Sequence, residues 1–143
     1  MKCLAEIYPS DLAKFVLGPE FKGSVEFRPE NLPIVSARES DFLLKIKDPE
    51  TNKEFILHIE FQSTHESDIP DRMLEYYGRI VRHYKIKDVY SVVIYLNPKY
   101  VPKEIPTSYT HEFRGINIDF KYKVIKIWEI ESKFIIDNNL VGL

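Results

Sequence analysis

Two segments alternate apolar and polar positions with period two, residues 41–47 (DFLLKIK) and 54–62 (EFILHIEFQ). That period marks strands with two unlike faces. Between them lies Asp48-Pro49-Glu50-Thr51-Asn52-Lys53, a run of turn formers, so the two strands are predicted to fold back as a hairpin. Matching the apolar positions selects one register. Phe42 faces Ile59, Leu44 faces Leu57 and Ile46 faces Phe55 on one side. On the other side Lys47 meets Glu54, Lys45 meets Ile56, Leu43 meets His58 and Asp41 meets Glu60. A slip of one residue would mix the faces, so the pattern over-determines the pairing.

The hydrophobic period then changes from two to that of a helix. Asp68-Ile69-Pro70-Asp71 offers an N-cap and a proline in the first turn, opening a helix to about Lys85 with an apolar stripe of Met73, Tyr77, Ile80, Val81 and Tyr84. Residues 90–96 (YSVVIYL) form the continuous apolar run of a strand covered on both faces. Strand, helix and strand in that order predict a right-handed crossover with parallel strands. A shorter helix is expected over 10–17 (SDLAKFVL), with Ser10 as N-cap and Gly18-Pro19 as the stop, followed by a short strand at Ser24–Arg28 and a loop around Pro29 and Pro33. Beyond the proline-rich stretch at 98–106, His111–Arg114 and Ile118–Ile130 read as a closing hairpin turning at Gly115 and Asn117. The fold class is mixed α/β.

Composition narrows the function classes. The chain has 143 residues, 44% apolar, 29% charged and 13% aromatic, with no linker or internal repeat, which fits a single domain over 1–143. Twenty Lys and Arg against 22 Asp and Glu give a net charge of −2, which argues against a protein that coats polyanions while leaving room for a local basic stripe. A single cysteine, Cys3, excludes an internal disulfide and a cysteine-rich zinc site. The N-terminal stretch lacks the apolar core of a signal peptide, and no run approaches 18 apolar residues, so a cytoplasmic protein without a membrane span is expected.

Two clusters could carry chemistry. The register sets Asp41 beside Glu60, and like charges directly opposite one another destabilise a hairpin. A divalent cation between the two carboxylates would resolve that conflict, and hard oxygen donors suit Mg²⁺ or Mn²⁺. Gln62 lies two residues beyond Glu60 and shares its face. Acids at strand ends also occur on plain solvated rims, and His58 on this face reads as a half-buried neighbour of Leu43. The second cluster is on the helix, where Arg72, Tyr76, Arg79 and His83 fall roughly opposite the apolar stripe, with Arg82 beside them. A basic row with an interleaved aromatic suits the phosphate backbone of DNA, although a solvated face relieved by Glu75 has the same pattern. Motifs for phosphate loops, dinucleotide binding, HExxH zinc sites and serine hydrolases are missing.

The segment Ser40-Asp41 … His58-Ile59-Glu60-Phe61-Gln62-Ser63, followed by Asp71-Arg72-Met73-Leu74-Glu75-Tyr76-Tyr77, resembles the recombination-promoting nuclease and transposase-like branch of the PD-(D/E)XK nuclease superfamily. The likeness runs over most of the chain, including the late RGINIDFKYKVIKIWEI stretch. It implies a restriction-endonuclease-like core and a Mg²⁺- or Mn²⁺-dependent DNA endonuclease of little sequence specificity, linked to recombination or transposition. On that resemblance Asp41 and Glu60 are the metal ligands, Gln62 stands where the superfamily has Lys, and an acid of the first helix, Asp11 or Glu6, completes some sites. Glutamine can neither carry charge nor take a proton, so Gln62 is expected to position water or a phosphate oxygen. Arg72, Tyr76, Arg79 and His83 are the expected DNA contacts. Members of the family commonly continue past the point where Leu143 ends this sequence, so either a truncated chain or one lacking a C-terminal accessory region is expected, and cleavage of both strands would suit a homodimer. The alternative is a nuclease-fold module of weak or lost activity that binds DNA or a protein partner.

Overall fold

The computed structural model describes residues 9–27, 41–99 and 101–130, without the side chains of Glu26, Phe27 and Asp41. Its elements are helix α1 (Pro9–Leu17), strands β1 (Ser24–Phe27), β2 (Asp41–Lys47) and β3 (Glu54–Gln62), helix α2 (Ile69–Tyr84), and strands β4 (Val89–Tyr95), β5 (Ser108–Phe113), β6 (Ile116–Lys121) and β7 (Lys123–Lys126). A five-stranded sheet runs in the order β1-β2-β3-β4-β7, and β5 and β6 form a separate two-stranded ribbon. The expected loop around Pro29 and Pro33 lies outside the described residues, as do Cys3 and Glu6. No helix among the described residues is long and apolar enough to cross a membrane.

The hairpin register is the one the apolar pattern selects. All seven pairs form, from Asp41 with Glu60 to Lys47 with Glu54. The neighbouring charges make a diagonal contact: Lys45 Nζ is 2.9 Å from Glu54 Oε2. β3 pairs in parallel with β4, and β4 in parallel with β7, while β1 and β2 run antiparallel to their neighbours. A parallel pair needs a long crossover, and α2 supplies it between β3 and β4.

Each helix covers one face of the sheet. α1 buries Leu12, Ala13, Phe15 and Val16 against Phe42, Leu44, Leu57, Ile59, Val92 and Ile94. It begins at Pro9, one residue before the expected Ser10 cap, and stops at Gly18, which takes φ +116°. α2 lies on the opposite face, burying Ile69, Met73, Tyr76 and Ile80 against Leu43, Ile56, Val93 and Tyr95. Pro70 occupies its first turn; Asp68 makes no side-chain cap, but its carbonyl accepts the Arg72 amide at 3.0 Å. The helix ends at Lys85, whose φ of 59° places it in the left-handed region.

The C-terminal segment departs from the single strand expected over Ile118–Ile130. β6 ends at Lys121, and after Tyr122 the chain enters the main sheet as β7. Tyr122 fills the corner, buried, with its hydroxyl donated to the Pro106 carbonyl at 2.9 Å. The turn of the ribbon is Arg114-Gly115, with φ of 52° and 81°, two successive positive values of the kind that suit a two-residue hairpin.

Candidate functional site

The polar residues of the sheet gather at the C-terminal end of β3, on the face covered by α2. Glu60 is fully buried there, at 0% exposure. A buried carboxylate is costly unless its charge is balanced and its oxygens are hydrogen-bonded. Here neighbours balance the charge and hydrogen-bond one of the two oxygens. Gln62 Nε2 donates to Glu60 Oε1 at 2.8 Å, and Arg72 Nη2 lies 3.3 Å from the same oxygen. Gln62 reaches Glu60 because residues two apart on a strand share a face. Arg72 reaches it because the first turn of α2 crosses over the end of β3.

That crossing corrects the expected helix face. Arg72 and Tyr76, placed by the sequence pattern on a solvent-facing basic row, are 8% and 2% exposed and point at the sheet. Tyr76 sits edge-on to buried His58, with ring centroids 5.2 Å apart. Of the apolar stripe read from the sequence, Met73 and Ile80 are buried, while Tyr77, Val81 and Tyr84 are partly exposed. The whole helix is therefore rotated towards its Arg72–Tyr76 edge. Arg79 and His83 remain towards solvent; Arg79 pairs with Glu75 at 2.6 Å and His83 packs edge-on to Tyr84.

Asp41 stands directly across from Glu60 in the ladder, and its side chain lies outside the described part of the structure. Asp11 is on α1, which packs on the other face of the sheet from Glu60. Among the described residues no three His, Cys, Asp or Glu side chains come together as a ready-made cage. The oxygen donors at this end of β3 are thus the Glu60 carboxylate and the Gln62 amide, with Asp41 placed opposite by the backbone register.

Three further residues belong to the same cluster, and the sequence reading did not select them. Glu66, in the loop after β3, takes the other arm of Arg72, with its Oε2 3.1 Å from Nη1. Arg72 therefore bridges a buried acid and a half-exposed one. His65 places Nδ1 2.9 Å from the hydroxyl of Tyr95, and the two rings stack with centroids 6.1 Å apart. Tyr95 is the parallel partner of Gln62 on β4, so the cluster spans two adjacent strand ends. Burial pushes the Tyr95 phenol up to about 12; the positive Arg72 opposes that rise and the negative Glu66 adds to it. Tyr122 is likewise pushed up to about 12, by burial first and then by Tyr95 and Asp71. Both phenols stay protonated at neutral pH. A loop histidine and a tyrosine at the end of an apolar strand leave little trace in a periodic pattern, and only the spacing of His65 three residues past Gln62 could have suggested it.

Ligands of open α/β sheets commonly bind beyond the carboxyl ends of parallel strands, which is where this cluster lies. A second groove opens at the other end of β3, where Leu17, Phe55, Val89 and Tyr90 lie beside Asp48, Thr51, Lys53, Glu54 and Asp88. Comparison with family models, curated proteins and solved structures found no match to this chain.

Proposed function

We propose that the chain is a metal-dependent DNA endonuclease of little sequence specificity, as its resemblance to the PD-(D/E)XK nucleases implies. The observation that carries this reading is the pairing of Asp41 with Glu60 at the open end of a parallel strand pair, with Glu60 buried and its charge already met by a cation. The donor set fits Mg²⁺ or Mn²⁺: a carboxylate, a second acid opposite it and a side-chain amide two residues along are all hard oxygen donors. Asp41 and Glu60 would hold the ion, which when bound lowers the pKa of a water and offsets charge on the phosphate. Gln62, hydrogen-bonded to Glu60, positions the water or a phosphate oxygen. Arg72 has a different task from the one its sequence position implied: it neutralises Glu60 until a cation arrives, with Glu66 as its second anchor. Contacts to the DNA backbone then fall to Arg79 and His83 on the outer side of α2 and to neighbouring Arg82.

The test is nicking of supercoiled plasmid in Mg²⁺ or Mn²⁺. Wild-type protein is expected to nick, with activity falling steeply as salt rises, and Asp41→Ala and Glu60→Ala are expected to be inactive. Equal nicking by all three would mean a contaminant and would end the proposal. One observation favours a second reading, a nuclease-fold module without chemistry: Arg72 already pairs with Glu60, and no lysine stands at position 62. Titration with Mn²⁺ separates the two. A rise in melting temperature that disappears in Asp41→Asn favours the enzyme, and DNA binding with no response to metal favours the module.

A further inference from the structure

We propose that His65 is the group that moves the proton in this site, with Tyr95 holding its ring in place; the inference rests on the nuclease reading above. Hydrolysis of a phosphodiester takes one proton from water and delivers one to the leaving oxygen. Gln62 can do neither. Arg72 has donors but no acceptor and is held by two carboxylates, and burial pushes the Tyr95 phenol up to about 12. His58 lies fully buried under α2 beside Tyr76, out of reach of substrate. His65 is a half-exposed imidazole, a side chain with one ring nitrogen to accept a proton and another to be held by a neighbour.

Its surroundings are built rather than incidental. The Nδ1 to Tyr95 hydroxyl distance is 2.9 Å and the rings stack at 28°. Tyr95 in turn is locked in the parallel ladder beside Gln62, on the strand next to Glu60. A neutral ring whose Nδ1 donates to the phenolic oxygen leaves its lone pair on Nε2, and this is the tautomer the step uses. Among the charged and titratable groups here, Arg72 and Glu66 act on Tyr95, and Asp71 acts on neighbouring Tyr122. In the step, Nε2 accepts a proton from the attacking water as its oxygen bonds to phosphorus and the bond from phosphorus to the leaving oxygen breaks. The imidazolium then returns the proton to that oxygen, so one water is consumed and a phosphomonoester and a hydroxyl end are formed.

The experiment is the rate of plasmid nicking from pH 5 to 9 for wild type, His65→Gln, His65→Ala and Tyr95→Phe, with the Mn²⁺-dependent melting shift measured on each. His65→Gln is expected to lose about 10²–10⁴-fold in rate and the wild-type pH dependence, while keeping its melting shift. Added imidazole should restore part of the activity of His65→Ala. Tyr95→Phe should cut less slowly than His65→Gln and show a displaced pH profile, as expected of a positioning residue. An active wild type matched by His65→Gln in rate and profile overturns the role of His65 alone. A wild type that does not cut, or that cuts no better than Glu60→Ala, overturns the nuclease reading and this inference with it.

Discussion

Under α1 the sheet presents Phe42, Leu44, Leu57, Ile59, Val92 and Ile94, a face whose buried members are all apolar. Under α2 the same strands present Leu43, Ile56 and Val93 but also His58, Glu60 and Gln62, and the helix answers with Arg72 as well as Met73 and Ile80. The two faces alternate residue by residue along β3, so both environments are written into nine consecutive positions. The first face needs only volume and shape to be filled. The second must also balance charge, and a balanced buried charge adds little to stability while being very costly to unbalance.

The sharpest way to break this comparison is to remove one charge. Arg72→Met is expected to destabilise the protein by about 3–5 kcal/mol in urea unfolding, because Glu60 is left buried and unbalanced. The double variant Glu60→Leu/Arg72→Met should recover most of that loss, since replacing both partners with apolar groups is often neutral. A double variant as unstable as the single would show that the ion pair does not organise this face. On the apolar face, Leu44→Ala is expected to cost about 2–5 kcal/mol through a cavity. Its effect should add to that of Arg72→Met within about 0.5 kcal/mol, because the two sites sit in separate clusters.

Alkaline pH gives a gentler probe of the same asymmetry. Tyr95 and Tyr122 ionise near the ordinary value of 10.0 in the unfolded chain but only at about 12 in the folded one. The folded state therefore holds more protons between those values, so this stability is whole below pH 10 and is lost as pH rises towards 12. The urea midpoint should fall from pH 9 to pH 11, and Tyr95→Phe/Tyr122→Phe should flatten the decline. The smallest effect concerns how the helices end. α1 stops on a glycine, whereas α2 stops on Lys85 at φ 59°. Lys85→Gly should raise stability by a few tenths to about 1 kcal/mol, measured as the thermal midpoint, because glycine adopts this conformation without a Cβ clash.

The hairpin was legible in the sequence because three apolar pairs fix its parity, and parity alone sets the register. The rotation of α2 was not. Arg72, Met73, Tyr76 and Ile80 form one seam and Met73, Tyr77, Ile80 and Val81 another, and the two share half their members. What chooses between them is Glu60, a residue on a different element that draws Arg72 inward. The split between β6 and β7 was hidden for a related reason. Ile118, Phe120, Tyr122 and Val124 keep a period of two straight through the corner, so no break in alternation marks where the chain leaves the ribbon for the main sheet. For the candidate site, Asp41, Glu60 and Gln62 could be read from spacing, whereas His65, Glu66 and Tyr95 join only once α2 and β4 are laid beside β3.

β3 has a further practical consequence. The tight loop at 48–53 closes one end of this strand and the polar cluster occupies the other, with eight residue steps from Glu54 to Gln62. At about 3.3 Å per step this is a separation of roughly 26 Å. A dye or affinity tag spliced into that loop would thus report on, or immobilise, the molecule from its far pole, leaving the opposite pole open to whatever approaches it.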